Sequence, residues 1–180
     1  VDLSEAQFAK ELGVSRTPVR ESFLKLASLG FLEIVPQRGT FVVPLRIKAY
    51  RKAQFMREAF ELALVREAVA LKDNGDLCRA LEKQMKLQEV YSDIGDEDAF
   101  FMSDEAFHEA IAVHCGQADL WPEVMRVKLH MDRFRYINMS QIETRRVVLE
   151  QHHAIAGAIC ARNEQAAIKA MATHLRRANR

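Results

Sequence analysis

Cysteine is scarce in this chain and badly placed for a covalent scaffold. Cys78, Cys115 and Cys160 are scattered over 180 residues with no Cys-x-x-Cys spacing. A disulfide framework is therefore not expected, and a reducing cytoplasm suits the composition. Charge of one sign is also missing. Lysine and arginine number 26 against 25 aspartate and glutamate, a net charge of +1, so no global basic surface announces a polyanionic partner. No apolar run approaches the roughly 18 residues that span a bilayer, and no secretory signal opens the chain. No membrane association is expected. Internal repeats and low-complexity segments are absent too. The apolar share, 49%, is that of an ordinary soluble globular protein of one large or two small domains.

Local pattern is richer than composition. Ser4 is placed as an N-cap with Gln7 as capping-box partner, and Phe8, Ala9 and Leu12 form a short apolar face that Gly13 ends. Ser15 is placed to cap a second helix with Pro18 in its first turn; Val19, Phe23, Leu26 and Ala27 keep helical period up to a stop at Gly30. Phe31–Val35 and Thr40–Val43 read as strands around a hairpin tip, Pro36-Gln37-Arg38-Gly39. Two helices, a tight turn and a hairpin make a winged helix-turn-helix, a module that lays one helix in a DNA groove. Arg16 and Arg20 project from one face of the second helix, beside Thr17 at its N-terminus. That end offers N–H groups to a phosphate, and arginine reads guanine with two bonds. Residues 1–44 nevertheless hold five basic and five acidic side chains, so a merely solvated arginine face is the competing reading.

Beyond Pro44 the pattern is helical throughout. Helices are expected over 47–72, 76–94, 97–115, 120–140, 144–162 and 164–178, an all-α domain of about 130 residues, large enough to bury a core. Asp104 and His108 lie one turn apart on a helix that also carries Phe100, Phe107 and Ile111. His152 shares a face with Val148, Ile155 and Ile159; His174 shares one with Ala167, Ala170 and Met171. A buried carboxylate costs several kcal/mol unless paired or bound to a cation. A histidine alone on such a face is usually just a hydrogen-bonded core residue, but one aspartate and three histidines on inward faces suit a divalent metal such as zinc. His153 is about 100° off the stripe that His152 occupies, so His152 is preferred, with a swap left open. His114 and His130 are taken as structural or exposed.

Both halves resemble known families. Residues 3–43, with Leu-Gly-Val-Ser-Arg-Thr-Pro-Val-Arg-Glu at 12–21 and Pro-Gln-Arg-Gly-Thr-Phe-Val at 36–42, are similar to the later two-thirds of a GntR-superfamily winged helix. The family's first helix would precede them. The resemblance implies that Ser15, Arg16, Thr17 and Arg20 meet double-stranded operator DNA, with Arg38 and Gly39 at the wing tip. From Lys48 onward the chain resembles the FCD effector domain of FadR-type GntR regulators, through Arg57-Glu58-Ala59-Phe60-Glu61, Asp104 to His108, His152 to Ile159, and His174-Leu175. That resemblance implies Asp104, His108, His152 and His174 as ligands of zinc, manganese or nickel. It implies Arg57 as a grip for a small carboxylate effector, against the simpler reading of a salt bridge with Glu61. Gln117, where the family often has asparagine, and Asn163, where aspartate is frequent, are departures away from those ligands. Some relatives lack the metal and bind acyl-CoA.

The expectation is thus a mostly α protein: a partial winged helix at 1–44, a linker at 45–48, and a six-to-seven-helix antiparallel bundle at 49–180. Its expected role is a homodimeric, ligand-responsive DNA-binding regulator. A metallohydrolase using the Asp/His set is the rival, and a purely structural metal site a third option.

Overall fold

The computed structural model describes residues 2–139 and 141–177. In chain order the elements are β1 (Asp2–Leu3), α1 (Glu5–Leu12), α2 (Arg16–Ser28), β2 (Leu32–Val35), β3 (Gly39–Val42), α3 (Ile47–Ala70), α4 (Gly75–Ile94), α5 (Glu97–His114), a 3-10 turn (Ala118–Leu120), α6 (Trp121–Met139), α7 (Ile142–Cys160) and α8 (Glu164–Arg177). They form two compact units that divide between Ile47 and Lys48.

The first unit is a winged helix-turn-helix. The Ser4 hydroxyl accepts the Gln7 N–H at 3.3 Å, so the cap forms. The return bond of a capping box does not, because the Gln7 amide donates to Glu11 at 2.8 Å instead. Gly13, at φ 66°, turns the chain in a conformation that a side chain would disfavour. Ser15 stands at the N-cap of α2 but makes no side-chain capping bond. The third helical residue is Pro18, which has no N–H for that hydroxyl to accept. Ala9, Val19, Phe23 and Leu32 close a small core, with Phe8 edge-on to Phe23 at 5.6 Å between ring centres. β2 and β3 pair antiparallel from Leu32↔Val42 to Val35↔Gly39, and the Arg38 N–H donates to the Val35 carbonyl at 3.0 Å to close the turn. Sequence pattern missed β1. It pairs antiparallel with the other edge of β3 and makes the sheet three-stranded, in the order β1-β3-β2. Two residues are too few to show a period.

The second unit is all α. Its helix ends fall within about two residues of those expected from periodicity. The expected ends at 140 and 178 lie outside the described residues. α4 packs on α5 and α7, and α7 on α8. Their inward stripes supply a continuous core that includes Leu64, Leu81, Phe107, Ile111, Ile155 and Met171. Asn163 serves as the cap of α8, its side-chain oxygen accepting the Ala166 N–H at 3.0 Å. No described helix is long and apolar enough to cross a membrane.

One expectation fails here. Cys78 and Cys160, 82 residues apart in sequence, form a disulfide with Cα atoms 5.8 Å apart. Scattered spacing argues against a local framework but says nothing of partners that helix packing brings together. Cys115 remains a free thiol.

Leu81 is fully buried where α4 meets the core. Leu81→Ala is expected to cost roughly 2–5 kcal/mol of stability, read as a lower urea midpoint with an unchanged m-value.

Candidate functional site

Three helices of the second unit carry polar side chains on otherwise apolar stripes. On α5 the buried residues include Phe100, Asp104, Phe107, His108 and Ile111; on α7, Val148, His152, Ile155 and Ile159. On α8 His174 is buried beside Ala167, Met171 and Leu175. Packing these stripes together brings one ligand atom each from Asp104, His108, His152 and His174 within 4.8 Å of one another.

The orientation of each ring follows from its other nitrogen. His108 Nδ1 lies 2.6 Å from Glu61 Oε2, His152 Nδ1 lies 2.8 Å from Gln88 Oε1, and His174 Nδ1 lies 2.9 Å from Gln151 Oε1. His152 and His174 donate from Nδ1 to a glutamine oxygen, so their Nε2 atoms are left with the lone pair, while His108 Nδ1 lies against the Glu61 carboxylate. The three Nε2 atoms face the cluster. His108 Nε2 and His174 Nε2 are 3.1 Å apart, and His152 Nε2 is 3.5 Å from Asp104 Oδ1. His152 Nε2 and Asp104 Oδ1 are buried without a hydrogen-bond partner among the described residues. Phe107 stacks flat on the His152 ring at 4.0 Å and fixes its plane.

Protonation does not relieve this set. Burial pushes His152 down to about 3, although the Asp104 charge pulls the other way. Burial and the neighbouring imidazoles push His174 well below the usual histidine range. Burial pushes the Asp104 carboxyl up, but the Arg135 guanidinium and the imidazoles outweigh it and hold the group well below the carboxylate range. At neutral pH His152 and His174 are neutral imidazoles and Asp104 is an anionic oxygen. That is the ligand state of a divalent cation, so the residues present fit a metal.

Several members of the site escaped sequence reasoning. Glu61, Gln88 and Gln151 hold the rings. Arg135 holds Asp104 Oδ2 through its Nη2 and leaves Oδ1 free for the cluster. Glu105 is buried and engaged by Arg135 at 2.7 Å and by Lys128. A signal for these residues was available. Lys128 and Arg135 interrupt the stripe Trp121, Val124, Met131, and Gln88 follows Leu77, Leu81 and Met85 at helical spacing.

Arg57 is buried, and its Nε contacts Glu61 Oε1, so the simpler reading, a salt bridge, is realised. Its Nη2 is buried with no partner among the described residues. His153 is exposed and bonds Glu89 at 3.1 Å, outside the cluster. His114 Nδ1 donates to the Ala110 carbonyl at 2.8 Å within α5. The side chain of His130 lies outside the described residues.

In the first unit Ser15, Arg16, Thr17 and Arg20 are exposed at and just inside the start of α2, and Arg38 is exposed at the hairpin tip beside Gly39. The side chains of Arg16, Arg20 and Arg38 form no hydrogen bond or ion pair among the described residues, so their guanidinium groups keep all their donors for a partner. Gly39, at φ 122°, sits in a backbone region that only glycine adopts readily.

Comparison with known proteins identifies both units. Residues 2–42 match the bacterial regulatory proteins of the gntR family, and residues 54–177 match the FCD domain. This chain belongs to the GntR family of transcriptional regulators and carries an FCD domain. It is 32% identical over 173 residues to the HTH-type transcriptional repressor RspR of Escherichia coli, covering 96% of this chain and 75% of that protein. It is 36% identical over 183 residues to an HTH-type transcriptional regulator in an unstable DNA locus of Streptomyces ambofaciens, covering 97% and 72%. The solved structure of Escherichia coli McbR/YncC superposes with a TM-score of 0.77 at 21% identity, covering 98% of this chain and 84% of that one; the likeness shows the fold. The family and these relatives are transcriptional regulators, not enzymes. Glu105, the carboxylate next to Asp104, is tied up by two cations.

The histidine environment sets a pH dependence. In the metal-free protein His152 and His174 titrate below the unfolded value near 6.5, so the unfolded chain binds more protons as pH falls through that value. Stability is expected to decline from about pH 6.5 downward, by up to about 1.4 kcal/mol per pH unit for each neutral histidine. Urea unfolding of the chelator-treated protein between pH 7 and pH 5 checks this, and His152→Gln should make the slope shallower.

Proposed function

We propose that this GntR-family regulator is a sensor of small organic acids, with Asp104, His108, His152 and His174 holding a divalent metal and Arg57 completing the effector site. The observation that supports the reading is the convergence of one ligand atom from each of four buried residues to within 4.8 Å of one another. Zinc is the expected metal; manganese and nickel take the same ligands. When bound, the metal supplies a Lewis-acidic centre to which a carboxylate oxygen coordinates. Arg57 offers the buried Nη2 to the same carboxylate, whose planar geometry matches a guanidinium fork. Glu61 ties the two halves of this site together, because it touches both Arg57 and the ring of His108. An effector that engages Arg57 therefore shifts the charge environment of a ligand ring through one shared carboxylate.

In this reading the helical domains pair into a homodimer in the cytoplasm and present two winged helices to a palindromic operator. Residues 45 and 46 serve as the linker, shorter than the expected 45–48 because α3 begins at Ile47. Effector binding shifts the balance between DNA-competent and DNA-incompetent arrangements, by no more than its differential affinity for the two. Ser15, Arg16, Thr17 and Arg20 enter the major groove, and Arg38 and Gly39 follow the backbone at the wing.

Elemental analysis of the purified protein is expected to find about one metal per chain, and none in an Asp104→Ala, His152→Ala double variant. A zinc-loaded protein should then gain thermal stability with small carboxylates, and Arg57→Ala should abolish that gain while retaining the metal. A metal-loaded protein indifferent to every carboxylate would favour the structural-metal reading. Arg20→Ala should weaken binding to a duplex selected by this protein from a random pool by about tenfold to a hundredfold, the worth of one bidentate base contact.

A further inference from the structure

The disulfide lies outside the site described above, yet it joins two helices that serve it. Cys78 stands in the first turn of α4 and Cys160 at the last residue of α7. The two helices pack together. Farther along the same contact Gln88 of α4 holds the ring of His152 of α7. Ten residues separate Cys78 from Gln88, and eight separate His152 from Cys160. At 1.5 Å per residue both intervals are about 12–15 Å, so one register of the pair satisfies the sulfurs and the Gln88–His152 bond together.

Both cysteines are half-buried, within reach of a thiol reagent. The same helix ends are also held without the sulfurs. Asn74 donates to the Ile159 carbonyl at 3.0 Å, and Arg162 to the Lys72 carbonyl at 2.7 Å. Breaking the disulfide therefore leaves the helix ends joined by hydrogen bonds and removes only their covalent link. Cys115 takes no part: its thiol is half-buried, touches the Leu64 carbonyl at 3.6 Å, and burial pushes it up to about 11. A regulator that binds chromosomal DNA works among cellular thiols, where a persistent structural disulfide is unusual and a reversible one carries information.

We propose that Cys78 and Cys160 form a redox-reversible latch that sets how firmly α4 and α7 hold His152. The oxidant is a small-molecule disulfide of the glutathione class. One cysteine thiolate attacks it and expels a thiol, and the second thiolate displaces the other. The two protein thiols lose two electrons and two protons, and the reagent is reduced to two thiols. The inference rests on the α4–α7 packing and stands apart from the metal assignment.

The test uses the full chain without added metal, equilibrated with oxidised glutathione or with dithiothreitol. Intact-mass measurement after alkylation should find one reactive thiol in the oxidised form and three in the reduced form. Reduction should lower Tm by roughly 10 °C, the effect of losing a crosslink over a long loop. Amides of α7 around His152 should exchange with deuterium at least tenfold faster in the reduced form while α5 changes less. Cys78→Ser should match the reduced protein under both conditions. Three reactive thiols in oxidised glutathione would overturn the disulfide. Unchanged exchange around His152 on reduction would overturn the latch, whatever the metal content proves to be.

Discussion

Three imidazole nitrogens and a carboxylate oxygen converge within 4.8 Å in the buried centre of the helical unit. The arrangement is held from outside. Gln88 and Gln151 accept from Nδ1 of His152 and His174, Glu61 contacts Nδ1 of His108, and Arg135 takes the outer oxygen of Asp104. Those four bonds remove the freedom to rotate away. The rest of the helical core, from the Phe107 ring on His152 to the α4–α7 contact, keeps the holders where they are.

This constraint orders the other features of the unit. Asp104 is anionic because Arg135 and the imidazoles together outweigh the cost of its burial, and His152 and His174 are neutral because nothing outweighs theirs. Arg135 is in turn shared with Glu105 and Asp132, which also bind the buried Lys128, so α5 and α6 are joined by a closed set of charges. Arg57 stands at the other side of the site, spent on Glu61 through one nitrogen and unpartnered at another. A buried guanidinium with an idle donor is costly unless it serves a ligand.

Much of this was legible in the sequence, for a definite reason. Helical period survives in any one segment, so α3 to α8 could be located from apolar spacing, and a histidine or aspartate on an apolar stripe stands out. The turn and wing of the first unit were legible because Ser4, Gly13, Pro18 and Gly39 carry local conformational preferences. What could not be read depends on the register between helices. Which oxygen holds which ring, the tie from Arg135 to Asp104, and the meeting of Cys78 with Cys160 are all set by packing across segments far apart in the chain. Ser15 shows a subtler limit. Its residue type and position are those of a cap, yet the proline three residues later removes the N–H that the cap would serve.

The central claim is that the four converging atoms are the ligands of one metal ion, each histidine binding through Nε2. Anomalous diffraction at the zinc edge from crystals of the zinc-loaded protein tests it most directly. The account predicts one peak per chain, about 2.0–2.2 Å from Asp104 Oδ1 and from the Nε2 atoms of His108, His152 and His174. A peak elsewhere, or coordination through Nδ1 with the bonds to Glu61, Gln88 or Gln151 broken, would contradict it.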